Sequence, residues 1–142
     1  MRNVLKIILI IITVIVLLLA GTYLYIRFMP EKNVLTRTTD FSLSASNLSK
    51  EYETNPTGSD RKYIDRIIEV TGAISEITID QNNSIVFILR DKESETGVLC
   101  TLNENNKKKS KRFKIGDTIT IKGTCSGMLF EVVLNKCIII EH

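Results

Sequence analysis

The apolar positions of this chain fall into two regimes. Ile7 to Ile26 reads IILIIITVIVLLLAGTYLYI, twenty residues without a charge. A helix of that length, rising 1.5 Å per residue, crosses a hydrocarbon core of roughly 30 Å. Lipid offers backbone groups no partner, so the run is predicted helical despite its β-branched content. Tyr23 and Tyr25 suit the interface at its end. Residues 1–6 then form a short tail, 7–26 a transmembrane helix and 27–43 a linker without periodicity. Ser44 to Thr54 predicts a short helix, capped by Ser44 or Ser46, with Leu48 and Tyr52 on one face. Asn55-Pro56-Thr57-Gly58 breaks it, and a second short helix is predicted from about Ser59 to Arg66.

From Ile67 the period becomes two. Ile68, Val70, Gly72 and Ile74 alternate with polar or small residues, and then Ile77 and Ile79 continue one residue out of phase. That slip is the mark of a β-bulge in a long, bent first strand. Asp80-Gln81-Asn82-Asn83 signals a turn. Further strands are predicted over Ser84–Arg90, Thr96–Leu102, Asp117–Ser126 and Leu129–Ile140, with a hairpin at Gly127-Met128. Asn103 to Lys114 is a polar, basic connection. Five strands in so short a span, with a long bent first one, favour a five-stranded OB-like barrel over a sandwich, which usually needs about seven. The fold class is mainly β: a barrel over 67–141, short helices over 44–66 and the apolar helix in front, with 44–142 as the OB-like domain. Val70, Ile74, Phe87, Leu89, Val98, Ile119, Ile121, Val132 and Leu134 are predicted to fill the interior.

Several of these residues carry a resemblance. Asn55, Tyr63, the run Ile68-Glu69-Val70-Thr71-Gly72-Ala73-Ile74, Cys100, Ile115-Gly116-Asp117, Lys122-Gly123-Thr124-Cys125-Ser126-Gly127 and Val132-Val133-Leu134-Asn135-Lys136-Cys137 together resemble the bacterial tRNA-anticodon-binding-like OB-fold family of envelope proteins. The likeness covers Ser44 to Ile140. Pro56-Thr57-Gly58 and Asp65-Arg66 depart from the family pattern. The resemblance implies an OB fold and no activity.

Charge sharpens the picture of the domain. Residues 1–32 hold four Lys/Arg and one acidic residue, while residues 33–142 hold fifteen of each sign, so the domain is neutral and the net charge of +3 comes from the flanks of the apolar run. A nucleic-acid reading therefore gets no support from overall charge. The apolar run exceeds the roughly 7–15 residues of a signal-peptide core. Leu18-Leu19-Ala20 puts a bulky residue where a cleavage site needs a small one, and no cysteine follows for lipid attachment. An uncleaved, single-pass anchor is expected. Basic residues tie across the run, and the short tail favours a domain outside the cytoplasm, on the periplasmic or cell-surface side.

Little in the domain suggests catalysis. The single histidine, His142, is the last residue, where a base is poorly held. Asp91, Glu93 and Glu95 share a charged loop and read as solvated. Cys100, Cys125 and Cys137 lack zinc-site spacing. They are either small buried thiols or, in an oxidising compartment, a source of one bridge, for which Cys125–Cys137 is the candidate. Lys107, Lys108, Lys109, Lys111, Arg112 and Lys114 form a basic run that is either a solvated loop or a contact for anionic groups at a membrane. Phe87 shares the phase of Ile85 and Leu89 and reads as core, so the strands offer no stacking platform for bases. The expected function is a non-catalytic binding module at the envelope, without cofactor or metal. Its partners would be the lipid bilayer through 7–26 and a protein, glycan or lipid head group. An oligonucleotide is the alternative.

Overall fold

A computed structural model describes residues 1–28, 34, 36–92 and 94–140, with the side chains of 26–28 left aside. The chain divides into two compact units, Met1–Asn33 and Val34–His142. The first holds helix α1 (Arg2–Phe28), which contains the whole apolar run. Its segment Arg2–Tyr25 is long and apolar enough to cross a membrane by length and composition.

The described residues of the second unit form six strands and three further short helices. In chain order these are β1 (Phe41–Ser44), α2 (Ala45–Thr54), α3 (Pro56–Tyr63), β2 (Ile67–Ile79), β3 (Ile85–Leu89), β4 (Val98–Leu102), α4 (Lys107–Ser110), β5 (Thr118–Met128) and β6 (Val132–Ile140). A 3₁₀ turn, Glu104–Asn106, leads into α4. The sheet order is β1-β2-β3-β4-β6-β5, and β5 pairs back onto β2 to close the barrel. The parallel β4–β6 pair places the last strand between β4 and β5. This is the five-stranded OB-like barrel that the alternation predicts. All nine predicted interior residues are buried, in one cluster that also takes in Leu48, Tyr52 and Tyr63.

The bulge in β2 lies where the phase slips: pairing with β3 shifts between Ile74 and Glu76. A second slip occurs in β6. Cys100 pairs with Leu134, but Leu102 pairs with Cys137, so β6 carries an extra residue. Lys136 takes φ 53° there, and the bulge returns Cys137 to the interior.

Three local expectations change. The linker expected to residue 43 ends earlier, because Phe41–Ser44 forms β1, parallel to Ile68–Thr71. Asp40 fastens its start: its N–H donates to Ile67 O and its carboxylate accepts from Ile67 N, both at 2.8 Å. Asn55-Pro56 starts a helix as well as ending one. The Asn55 N–H closes α2 on Glu51 O at 3.0 Å, its side chain accepts from Gly58 N at 3.0 Å, and Pro56 sits in the first turn, where no N–H is needed. The hairpin joining β5 and β6 turns at Leu129–Glu131 rather than at Gly127-Met128.

Candidate binding face

The outer side of β3, β4 and β6 is built from the residues between the core positions. Ile88 pairs with Leu99 and Leu99 with Val133. All three are half-buried, while their chain neighbours Phe87, Leu89, Val98, Cys100, Val132 and Leu134 are fully buried. They therefore form one aliphatic row across three strands. Val86 and Thr101, paired in the next rung, extend it. The row itself carries neither ring nor cation.

Above this row the β3–β4 and β5–β6 connections meet. Glu131 accepts from the Arg90 guanidinium and from the Gly97 backbone N–H, and Val132 N donates to Gly97 O at 3.1 Å. A Cβ at Gly97 would lie 2.9 Å from Glu131 Oε2 and 3.2 Å from Arg90 Cβ, so the site requires glycine. The clamp neutralises Arg90 and fixes the base of the hairpin. The apex then presents Leu129 at 85 % exposure and Phe130 at 92 %. Single exposed apolar residues are ordinary on a surface, but two adjacent ones at nearly full exposure on a braced turn are not. Phe130 is the aromatic that strand-by-strand reading misses. Its signal was an apolar pair just after Gly127, read there as the start of a strand.

The sequence-predicted candidates are scattered. Cys125 lies 3.5 Å from the Tyr52 hydroxyl, and Cys137 donates to Leu134 O at 3.2 Å and neighbours Cys100. All three thiols are free and buried. Of the candidate pair, Cys125 lies against Tyr52, while the β6 bulge sets Cys137 on the inward face beside Cys100. Burial, against hydrogen bonds from Tyr52 and the Gly127 backbone, pushes the Cys125 thiol up. Burial and then Cys100 push Cys137 well above the usual range, and burial followed by Cys125 raises Tyr52. Asp91 and Glu95 are exposed, and Glu93 and His142 lie outside the described residues. Among the described residues no group of three His, Cys, Asp or Glu converges as for a metal.

The basic run lies on α4 and the turn after it. Lys107 reaches Glu104 at 2.6 Å, while Lys108, Lys109, Lys111, Arg112 and Lys114 are exposed.

The barrel order, its bulges and the family motifs agree with a match over residues 1–139. The chain belongs to the tRNA_anti-like family. Among solved structures it is similar to a proposed nucleic acid-binding lipoprotein from Klebsiella pneumoniae subsp. pneumoniae MGH 78578, with a TM-score of 0.60 and 17 % identity over 70 % of this chain and 91 % of that one. It is also similar to part of the asparaginyl-tRNA synthetase of Entamoeba histolytica, with a TM-score of 0.42 and 13 % identity over 55 % of this chain and 21 % of that one. No curated protein matches the sequence. As a member of this family the protein is an OB-fold, tRNA-anticodon-binding-like domain behind an N-terminal apolar helix, which fits a binding module.

Proposed function

We propose that the protein is a membrane-anchored, non-catalytic OB module that binds a polypeptide on the outer face of β3, β4 and β6, with the Leu129–Phe130 apex as its anchor point. The aliphatic row carries this reading. A strand of nucleic acid is gripped by successive stacking rings and cations along its backbone, whereas this site offers one ring, Phe130, beside a row of Ile88, Leu99 and Val133 that supplies neither. An apolar centre bordered by an ion pair is instead what polypeptide partners meet. Support for the anchor comes from the length and apolarity of α1. On this reading the domain faces away from the cytoplasm, and activity of a reporter that works only in the cytoplasm, fused after Glu141, would reverse that.

Site-specific photo-crosslinking in cells tests the partner class. A crosslinker at Phe130 or Leu99 is expected to give discrete, protease-labile adducts that disappear with Leu129→Ser, and a crosslinker at exposed Glu53 on α2 is expected to give none. Nuclease-labile adducts, or silence at both positions, would refute the reading. Nuclease-labile adducts would instead favour the second one, an oligonucleotide module. That reading takes its support from the six basic residues between Asn103 and Asp117 and from the ligand ascribed to the Klebsiella lipoprotein.

A further inference from the structure

The segment from Asn103 to Asp117 crosses one end of the barrel. Asn103 N donates to Cys137 O at 2.9 Å, and Asn106 Oδ1 accepts from Ile139 N at 3.3 Å. At its far side Gly116 N donates to Ile74 O, and Asp117 O accepts from Ile74 N. Phe113 packs on the core beneath. Six basic residues face two acidic ones, Glu104 and Asp117, an excess of four positive charges in a domain that is neutral overall.

Exposed isoleucines stand at the same end. Ile115 is 66 % exposed and directly follows Lys114. Ile77 and Ile79 lie on the part of β2 that runs past its pairing with β5, and they are 37 % and 67 % exposed. Their partners across the ribbon are Phe87 and Ile85, so they share the inward face but have no barrel left to fill.

The chain enters the domain over β2 and β6. Val34, six residues after α1 ends at Phe28, is buried with Ile67 and Ile138 and packs with Ile140. Ile138 and Ile140 flank Ile139, whose N–H is held by the basic segment.

We infer that this end of the barrel is a docking surface for an anionic lipid bilayer. The isoleucines enter the head-group region while exposed Lys108, Lys111 and Lys114 meet lipid phosphates. Cations and aliphatic side chains together, in a domain joined to an apolar helix by a short connection, match the chemistry of that surface. The inference rests on the anchored reading for the placement of a bilayer and is independent of the polypeptide face.

The chain lacks tryptophan, so one introduced residue gives an unmixed signal. Full-length Ile115→Trp would be placed in nanodiscs of phosphatidylcholine, with or without phosphatidylglycerol. Expected are a blue shift and quenching by brominated acyl chains in the anionic discs only, both lost in high salt. Each neutralising substitution, such as Lys108→Gln or Lys111→Gln, should weaken docking about fivefold. Phe130→Trp should stay unquenched in either disc. Equal, unquenched emission from Ile115→Trp in both discs would overturn the inference. So would a shift in neutral discs on adding an oligonucleotide, which would hand the surface to nucleic acid. Failure of the chain to enter nanodiscs at all would instead overturn the anchor, and the inference with it, and is read separately by co-purification.

Discussion

Glu131 satisfies two donors at the foot of the exposed hairpin, the Arg90 guanidinium and the Gly97 N–H. The carboxylate side chain is 15 % exposed, so water replaces it poorly. Glu131→Ala is expected to cost about 1–3 kcal/mol in urea unfolding, because both donors lose their partner. Glu131→Gln should cost less, since its amide oxygen still serves one of them. Gly123 makes a second sharp test. A Cβ there would lie 2.5 Å from Cys137 Sγ and 3.2 Å from Asn135 O. Gly123→Ala should destabilise by about 1–3 kcal/mol, and adding Cys137→Ala should return part of the loss. Strict additivity of the two changes would show that the sulfur is not the obstacle. The thiols are buried, and Cys125 and Cys137 are held protonated by that burial. Alkylation is therefore expected to label none of the three in the folded protein and all three after unfolding without reductant. Labelling of a single thiol in the unfolded chain would reveal a bridge. That Cys125 and Cys137 look elsewhere could not be read from spacing, since a one-residue bulge in β6 decides it.

Parity of apolar positions carries most of what was legible at the level of elements. The slip from Ile74 to Ile77 announces the β2 bulge without any structure, because one inserted residue moves every later side chain to the other face. The same kind of slip, from Leu134 to Cys137, stands in β6, but an apolar stretch such as Cys-Ile-Ile-Ile hides it. Strand β1 escaped for another reason. Four residues, Phe-Ser-Leu-Ser, are too few to establish a period, and their partner lies more than twenty residues ahead. The binding row was half visible. Ile88, Leu99 and Val133 alternate with core residues, but an aliphatic side chain on each face of a strand does not say which one water sees. The strap from Val34 to Asp40 gives a prediction at this scale. Val34 closes a small cluster over Ile67 and Ile138, and Lys122 Nζ donates to Arg37 O at 2.5 Å. Val34→Ser removes an apolar side chain worth on the order of 1.5 kcal/mol. Proteolysis between residues 34 and 40 should accelerate while the main cluster, which excludes Val34, keeps its protection from hydrogen exchange. Unchanged cleavage would mean that the strap is held by its backbone bonds alone.

The whole molecule divides at residue 33. Every buried apolar side chain among the described residues lies between Val34 and Ile139, while the large apolar residues of α1 up to Tyr25 are about half exposed or more. That stretch of helix buries none of its apolar surface. At 27 residues and 1.5 Å per residue α1 is about 40 Å long, and water is a poor solvent for its whole circumference. Two opposite behaviours should follow from one chain. The full-length protein should sediment with membranes and resist both high salt and alkaline carbonate, yielding only to detergent. The fragment 34–142 keeps both buried clusters and the closing β2–β5 pair, so it should remain soluble and unfold in urea at the midpoint of the detergent-solubilised full chain. The midpoint is the discriminating quantity. A fall in the fragment would show that α1 supports the barrel, and release of the full chain by carbonate would show that α1 does not cross the bilayer. If both expectations hold, the lipid contacts of Ile115 and the polypeptide contacts of Phe130 can be measured on one barrel whose stability does not depend on its anchor.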